Sequence, residues 1–244
     1  MPSPPTGRAT GAAAATATGA AVAAATGAAR VRRRHRFVVP LPGDRLAVRL
    51  ARCIVGLALF GLGISCFLTS DLGVASWDVF HQGVSRHSGI PIGIVIEITG
   101  VCLLLLWIPL RERVGLGTLL NAVEIGLVVF LIDDHLPHTD RLVPRLLYLM
   151  AGLLTIAVGS GLYIGAGLGS GPRDGLMLGL SKRGLSVRIA RTVIEITVLM
   201  VGLALGGSVG LGTLAFTFGI GPLVQFFLPR LRMRGDVTVL ATAH

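Results

Sequence analysis

Six apolar runs, each close to the length needed to cross a bilayer, decide what solvent this chain folds in. They are Cys53–Thr69, Pro91–Leu110, Val114–Ile132, Leu146–Leu168, Ile189–Gly206 and Val209–Leu228. At a rise of about 1.5 Å per residue, a helix of that length reaches across roughly 30 Å of hydrocarbon. A backbone in lipid must satisfy its own hydrogen bonds, so only helices and closed barrels can span. None of the runs alternates polar and apolar residues, so all six are expected to be helices. Composition agrees: 52% of residues are hydrophobic and 14% are charged, against roughly 25% charged in soluble domains.

Two shorter segments, Ala75–His87 and Pro172–Arg183, cannot span. Trp77, Phe80 and Val84 form an apolar stripe on the first, with Asp78, Gln82 and Ser85 elsewhere on its surface. Both segments are expected to be re-entrant or interfacial helices.

The chain repeats itself. Leu72-Gly73 and Asp78 recur as Leu168-Gly169 and Asp174, 96 residues later. The pentapeptide VIEIT stands at Val95–Thr99 and again at Val193–Thr197, and VGLGT at Val114–Thr118 and Val209–Thr213. The expected fold is therefore an all-α membrane protein of six transmembrane helices and two short helices, made of two three-span repeats. An odd number of spans per repeat turns the second upside down. The repeats are assigned to residues 50–133 and 146–229, joined by a loop at 134–145. Residues 1–49 form an Ala/Gly-rich tail with a juxtamembrane basic segment, and 230–244 a basic C-terminal tail. The first 29 residues read as a disordered tail or an over-extended start, because their basic cluster follows rather than precedes them.

Charge orients this arrangement. With the N-terminus inside, the inner loops carry Arg111 and Arg113, then Arg173, Lys182, Arg183 and Arg188, and the C-terminal flank carries Arg230, Arg232 and Arg234. The outer segments carry Asp71, Asp78, Asp133, Asp134 and Asp140, with Arg86, Arg141 and Arg145. This distribution follows the positive-inside rule. It predicts a multi-pass plasma-membrane protein with both termini cytoplasmic, resting on anionic lipids. The net charge of +10 suggests nucleic acid at first sight. However, the arginines sit at the edges of apolar runs and aromatics make up 5% of the chain, so nucleic-acid binding is not expected. Cys53, Cys66 and Cys102 read as small apolar residues within spans. The loop from Asp133 to Asp140 reads as solvated rather than metal-binding.

Charged residues within spans are costly, about 2.5–3.5 kcal/mol at a helix centre, and so single themselves out. Glu97 and Glu195 hold related positions in the two VIEIT copies. They read either as a proton- or cation-coupled site or as interhelical hydrogen-bonding groups. Arg191, one turn before Glu195, offers it a partner. Asp78 and Asp174 open the short helices. Pro172 suits the first helical position and Asp174 the third, so these acids are helix-start groups or face a solute. Arg173 is an anion contact or a cytoplasmic anchor. Glu124 and Asn121 lie one turn apart in the third span and have no polar counterpart in the second half. Gly161, Gly165 and Gly169, together with Gly61 and Gly63, are expected to allow close helix packing.

The stretches DLGVASWDVFHQGVS and GLGSGPRDGLMLGLS, with GIPIG and VGLGT, resemble the YczE-like bacterial membrane proteins, relatives of the YitT type. The resemblance covers about residues 50–230. It implies a multi-span membrane topology and brings no substrate with it. Ser76 stands where such proteins often have proline.

Two functions remain open at this point. One is a secondary transporter or exporter of a small solute, with Glu97, Glu195, Asp78, Asp174, Arg173, Arg191 and Glu124 as candidate transport or coupling residues. The other is a non-transporting accessory or scaffolding protein. No Walker A, GxSxG, HExxH or CxxC pattern occurs, so neither an enzyme nor a bound cofactor or metal is expected. Self-association into a homo-oligomer stays open.

Overall fold

The computed structural model describes residues 45–233. The N-terminal tail and its basic cluster, and the C-terminal tail beyond Met233, lie outside the described residues. Every regular element within them is helical: α1 (Leu46–Ser70), α2 (Ser76–Ser88), α3 (Ile92–Leu110), α4 (Leu116–Ile132), α5 (Leu142–Gly165), α6 (Pro172–Ser181), α7 (Val187–Ala204) and α8 (Leu211–Leu231). A short 3-10 turn, Asp133–His135, extends α4. Helix α1 begins at Leu46, ahead of the first apolar run. Its added turn carries Arg49, a buried side chain that donates to the Ala166 carbonyl oxygen at 2.9 Å.

Five helices are long and apolar enough to cross a membrane: α1, α3, α4 with its 3-10 extension, α5 and α8. The fifth apolar run, Ile189–Gly206, folds as α7, which carries Arg188, Arg191 and Glu195 within its 18 residues. That charge density separates it from the other five.

The duplication visible in sequence also runs through the backbone. Four positions with positive φ in the first half are Asp71, Gly73, Gly89 and Arg111. Residues 95 or 96 further on, Gly167, Gly169, Gly184 and Gly206 adopt positive φ as well. At Asp71 and Arg111 the first half holds a side chain in a conformation where the second uses glycine, the residue that adopts it without steric cost.

Counterpart helices α1 and α5 form the central crossing, and they run antiparallel. A Cβ on Gly56 would meet the Gly159 carbonyl oxygen at 2.8 Å, and one on Gly63 would meet the Gly152 carbonyl oxygen at 2.9 Å. Gly152 and Gly159 stand 96 residues after Gly56 and Gly63, so each glycine packs on the other's counterpart. Small residues allow two helix backbones to approach this closely. Of the glycines expected to do so, only Gly63 belongs to this crossing. Gly61 faces α4, Gly161 faces Leu231 and Phe227 of α8, Gly165 faces the end of α8, and Gly169 lies in the loop after α5.

A second pair of reciprocal contacts ties the halves together. The Gly117 N–H at the start of α4 donates to the Leu168 carbonyl oxygen at 2.9 Å. The Gly212 N–H at the start of α8 donates to the Leu72 carbonyl oxygen at 2.7 Å. Each helix start thus satisfies one of its otherwise unpaired N–H groups on the loop of the opposite half. Thr118 Oγ1 accepts from the Gly115 N–H and Thr213 Oγ1 from the Gly210 N–H, both at 3.2 Å. Thr118 is fully buried. We expect Thr118→Val, which keeps the shape and strands a buried donor, to cost about 1–3 kcal/mol. Thermal unfolding in detergent should report a lower midpoint; an unchanged midpoint would refute the capping role.

The short helices exchange partners across the halves, α2 packing on α7 and α6 on α3. Symmetry breaks at one place. Helices α3 and α4 pack antiparallel through Gly93 on Gly126 and Gly100 on Ala122. Their counterparts α7 and α8 barely touch. Arg191 occupies the position corresponding to Gly93, and Gly221, the counterpart of Gly126, would meet nothing within 4 Å of an added Cβ.

Candidate functional site

Two apolar clusters leave a space between them. The larger gathers Leu57, Ile64 and Phe67 of α1 with Leu153 and Ile156 of α5 and Ile125 and Val129 of α4. The smaller gathers Trp77, Leu103, Met177 and Ile194 from α2, α3, α6 and α7. Between them lies a cavity of about 210 Å³.

Both short helices start at this cavity. Helix α2 contributes Ser76, Trp77, Asp78 and His81, and α6 contributes Pro172, Arg173, Asp174 and Met177, preceded by Gly171. Pro172 holds the first position of α6 and Asp174 the third, which suits a fixed φ and a carboxylate near the positive end of the helix. Asp174 accepts from the Gly171 N–H. The remaining walls come from Ile96, Thr99 and Leu103 of α3, Asn121 and Ile125 of α4, Ile156, Ser160 and Tyr163 of α5, Arg191 and Glu195 of α7, and Phe216, Ile220 and Val224 of α8.

Five of the seven residues singled out in the sequence meet here: Asp78, Arg173, Asp174, Arg191 and Glu195. Asp78 is buried and contacts His81 Nδ1 at 3.2 Å. Arg173 Nη2 lies 3.8 Å from Asp78 Oδ1 and its guanidinium sits 5.0 Å from the Trp77 ring centre. Arg173 is thus embedded against α2. Arg191 Nε is 3.6 Å from Glu195 Oε1, the one-turn pair that the spacing predicts. Asp174 makes no ion pair within 4.0 Å among the described residues. Protein surrounds it on all sides, yet its side chain is open to water because it faces the cavity. Burial pushes the Asp174 carboxyl up, against the opposing effects of Arg191, Arg173 and the Gly171 N–H.

Glu97 and Glu124 stay outside. Glu97 is half-buried, with its side-chain stem against Gly126 of α4, and Glu124 is half-buried on α4 itself. Although the two VIEIT glutamates are sequence counterparts, only Glu195 reaches the cavity. The packing of α3 on α4 holds Glu97 at that helix pair, whereas the gap beside α7 leaves Glu195 open to the centre.

His81, Tyr163, Ser160 and Trp77 line the cavity and did not stand out as polar-site residues. His81 was the findable one, standing three residues after Asp78 on the same short helix. Its side chain is fully buried and its Nε2 has no hydrogen-bond partner; Trp77 Nε1 is also buried without one. Burial lowers the His81 imidazole, although its hydrogen bond to Asp78 acts the other way.

The far ends of the short helices are fastened. Lys182 Nζ, just past α6, contacts both oxygens of Glu112 at 2.7 Å, and Arg183 Nη2 donates to the Pro109 carbonyl oxygen at 2.6 Å. At the end of α2, Arg86 Nη1 donates to the Gly206 carbonyl oxygen at 2.7 Å, and Gln82 Oε1 accepts from the Ser208 N–H at 2.7 Å. Arg86 and Lys182 stand 96 residues apart.

Comparison with known proteins gives relatives but no activity. Residues 47–229 match a family of unknown function, DUF6198. An uncharacterised protein of Haemophilus influenzae is 39% identical over 176 residues, covering 72% of this chain and 81% of the relative. YczE, an uncharacterised membrane protein of Bacillus subtilis, is 32% identical over 191 residues, covering 77% and 88%. YyaS of the same organism is 28% identical over 183 residues, covering 72% and 90%. No solved structure matches.

Proposed function

This chain belongs to the DUF6198 family, and from that premise and the central cavity we propose that it is a secondary transporter. It moves a small solute between two inverted three-span repeats and does no chemistry on it. The observation that carries this reading is the cavity itself: a polar, charged space inside an apolar protein, met by the starts of two counterpart short helices. Inverted repeats with interrupted helices near a central site are a recurring build of secondary transporters. The antiparallel crossing of α1 with α5 supports the inversion, because these helices are sequence counterparts.

In this reading α7 is the sixth span. Arg191 and Glu195 oppose its insertion as an isolated helix, but both line the cavity. Charged residues in spans are ordinarily placed so. Six spans put both termini on the cytoplasmic side, where the arginine-rich flanks meet anionic lipids. The fastenings at Glu112–Lys182 and Gly206–Arg86 then lie toward opposite faces, as inner and outer closures of one pathway.

The test places a single cysteine in the cavity, Asn121→Cys, in a chain whose Cys102 is replaced by alanine. An impermeant maleimide is applied to right-side-out and inside-out vesicles. Labelling from both sides is the expected result, with Arg111→Cys labelled only from inside as the sidedness marker. Labelling of position 121 from one side alone would indicate a static protein and overturn the transport reading. Labelling of position 111 from outside would overturn the six-span topology.

A further inference from the structure

The cavity has a charge imbalance that selects among solutes. It contains three carboxylates, Asp78, Asp174 and Glu195, and two guanidinium groups, Arg173 and Arg191. Each arginine already has a carboxylate within 4.0 Å, Arg173 beside Asp78 and Arg191 beside Glu195. That leaves Asp174 open to the cavity with no cationic group within 4.0 Å among the described residues, Arg191 and Arg173 acting on it from further away. An unpaired carboxylate inside a protein is costly, and a cation arriving beside it is correspondingly favoured.

His81 and Trp77 line the cavity, but their Nε2 and Nε1 are buried and unpartnered, so Asp174 is the group that meets a solute's head. Tyr163 adds an aromatic ring to the same space, and ring faces attract cations, whereas the Trp77 ring already carries Arg173.

The remaining wall accommodates an apolar body. Phe216, Ile220 and Val224 of α8 face Arg191 and Glu195 of α7 across a gap that the counterpart helices α3 and α4 close. At the open gap Gly221 has no neighbour, and the Arg191 side chain is 64% exposed. The cavity therefore continues sideways toward the hydrocarbon.

Resting on the transport reading, we infer that the solute is a protonated amine with an apolar body, its ammonium at Asp174 and its body toward the α7–α8 gap. Three probes of one shape test this on the full-length chain in nanodiscs: phenethylamine, the neutral phenethyl alcohol and the anionic hydrocinnamate. Calorimetry should show saturable binding of phenethylamine, with the other two at least about tenfold weaker, which is the effect of about 1.4 kcal/mol. Asp174→Asn should weaken phenethylamine by about tenfold or more, and Asp174→Glu should retain binding. Gly221→Phe, which fills the gap, should weaken phenethylamine and leave ethylamine unchanged. Equal binding of the alcohol or the anion, unchanged binding in a folded Asp174→Asn chain, or no saturable phenethylamine binding overturns the inference. The comparison among probes uses the unmodified chain, so misfolding of a variant does not decide it. Two-sided labelling at position 121 needs no ligand, so the transport reading can survive this inference failing.

Discussion

Gly63→Leu is expected to leave almost no folded protein. A Cβ at this position would stand 2.5 Å from Ile156 Cγ1, 2.9 Å from the Gly152 carbonyl oxygen and 3.0 Å from the Ile156 N. Two of those three neighbours are backbone atoms of the opposing helix and cannot rotate away. Overpacking in a close-fitting core costs about 1–3 kcal/mol even where side chains can yield. Here the helices themselves must separate, and they carry most of the larger apolar cluster. Gly152→Leu should do the same, since Gly152 faces Gly63 and Phe67 across the crossing. Size-exclusion profiles of tagged protein in detergent provide the measurement. Gly221→Leu is the matched control on an open helix face and should elute as the parent does. A monodisperse, parent-like Gly63→Leu peak would mean that the crossing is not packed as described.

Glu195→Gln and Glu97→Gln should part company, despite occupying the same place in the repeated pentapeptide. Glu195 lines the cavity beside Arg191; its replacement removes one carboxylate and leaves that guanidinium without its partner. A carboxylate is thereby lost from the space the solute crosses, so exchange of radiolabelled phenethylamine across proteoliposomes should fall by about tenfold or more, the effect of about 1.4 kcal/mol. Glu97 stands on the α3–α4 pair with its stem against Gly126. Its amide has nearly the same shape, and exchange should stay within about twofold of the parent. Equal losses in both variants would place Glu97 on the solute's path and contradict the geometry.

Much of the fold was legible because lipid leaves few options. The apolar runs located the helix ends to within four residues, except that α1 begins at Leu46, seven residues before the run at Cys53. The repeated LG, VIEIT and VGLGT stretches located the duplication, and the structure shows what two of them do. The LG carbonyls of one half receive the N–H groups of the VGLGT helix start in the other. Less legible was which positions face each other. The glycines of the central crossing, Gly56, Gly63, Gly152 and Gly159, are spaced seven apart on each helix, and their role depends on an antiparallel partner remote in sequence. Glu97 and Glu195 could not be told apart by motif, because the difference lies in their surroundings: Gly93 lets α4 come close to α3, and Arg191 stands in its place on α7. The cavity itself was foreshadowed by Asp78, Asp174 and Arg173. His81 was legible too, three residues after Asp78 on the same short helix, but that spacing was not read as a pair.

The antiparallel glycine crossing has a mechanical consequence. Helices that interlock through ridges and grooves of side chains resist sliding, because every shift forces rotamers to change. Where Gly56 meets Gly159 and Gly63 meets Gly152, main chain lies close on main chain, with Leu162, Ile156 and Phe67 at the edges of the contact. If the protein transports as proposed, the crossing would serve as a bearing, holding the two halves at a fixed separation while opposing little their tilt about the contact. A rocking motion with its pivot there would loosen one fastening as it tightened the other.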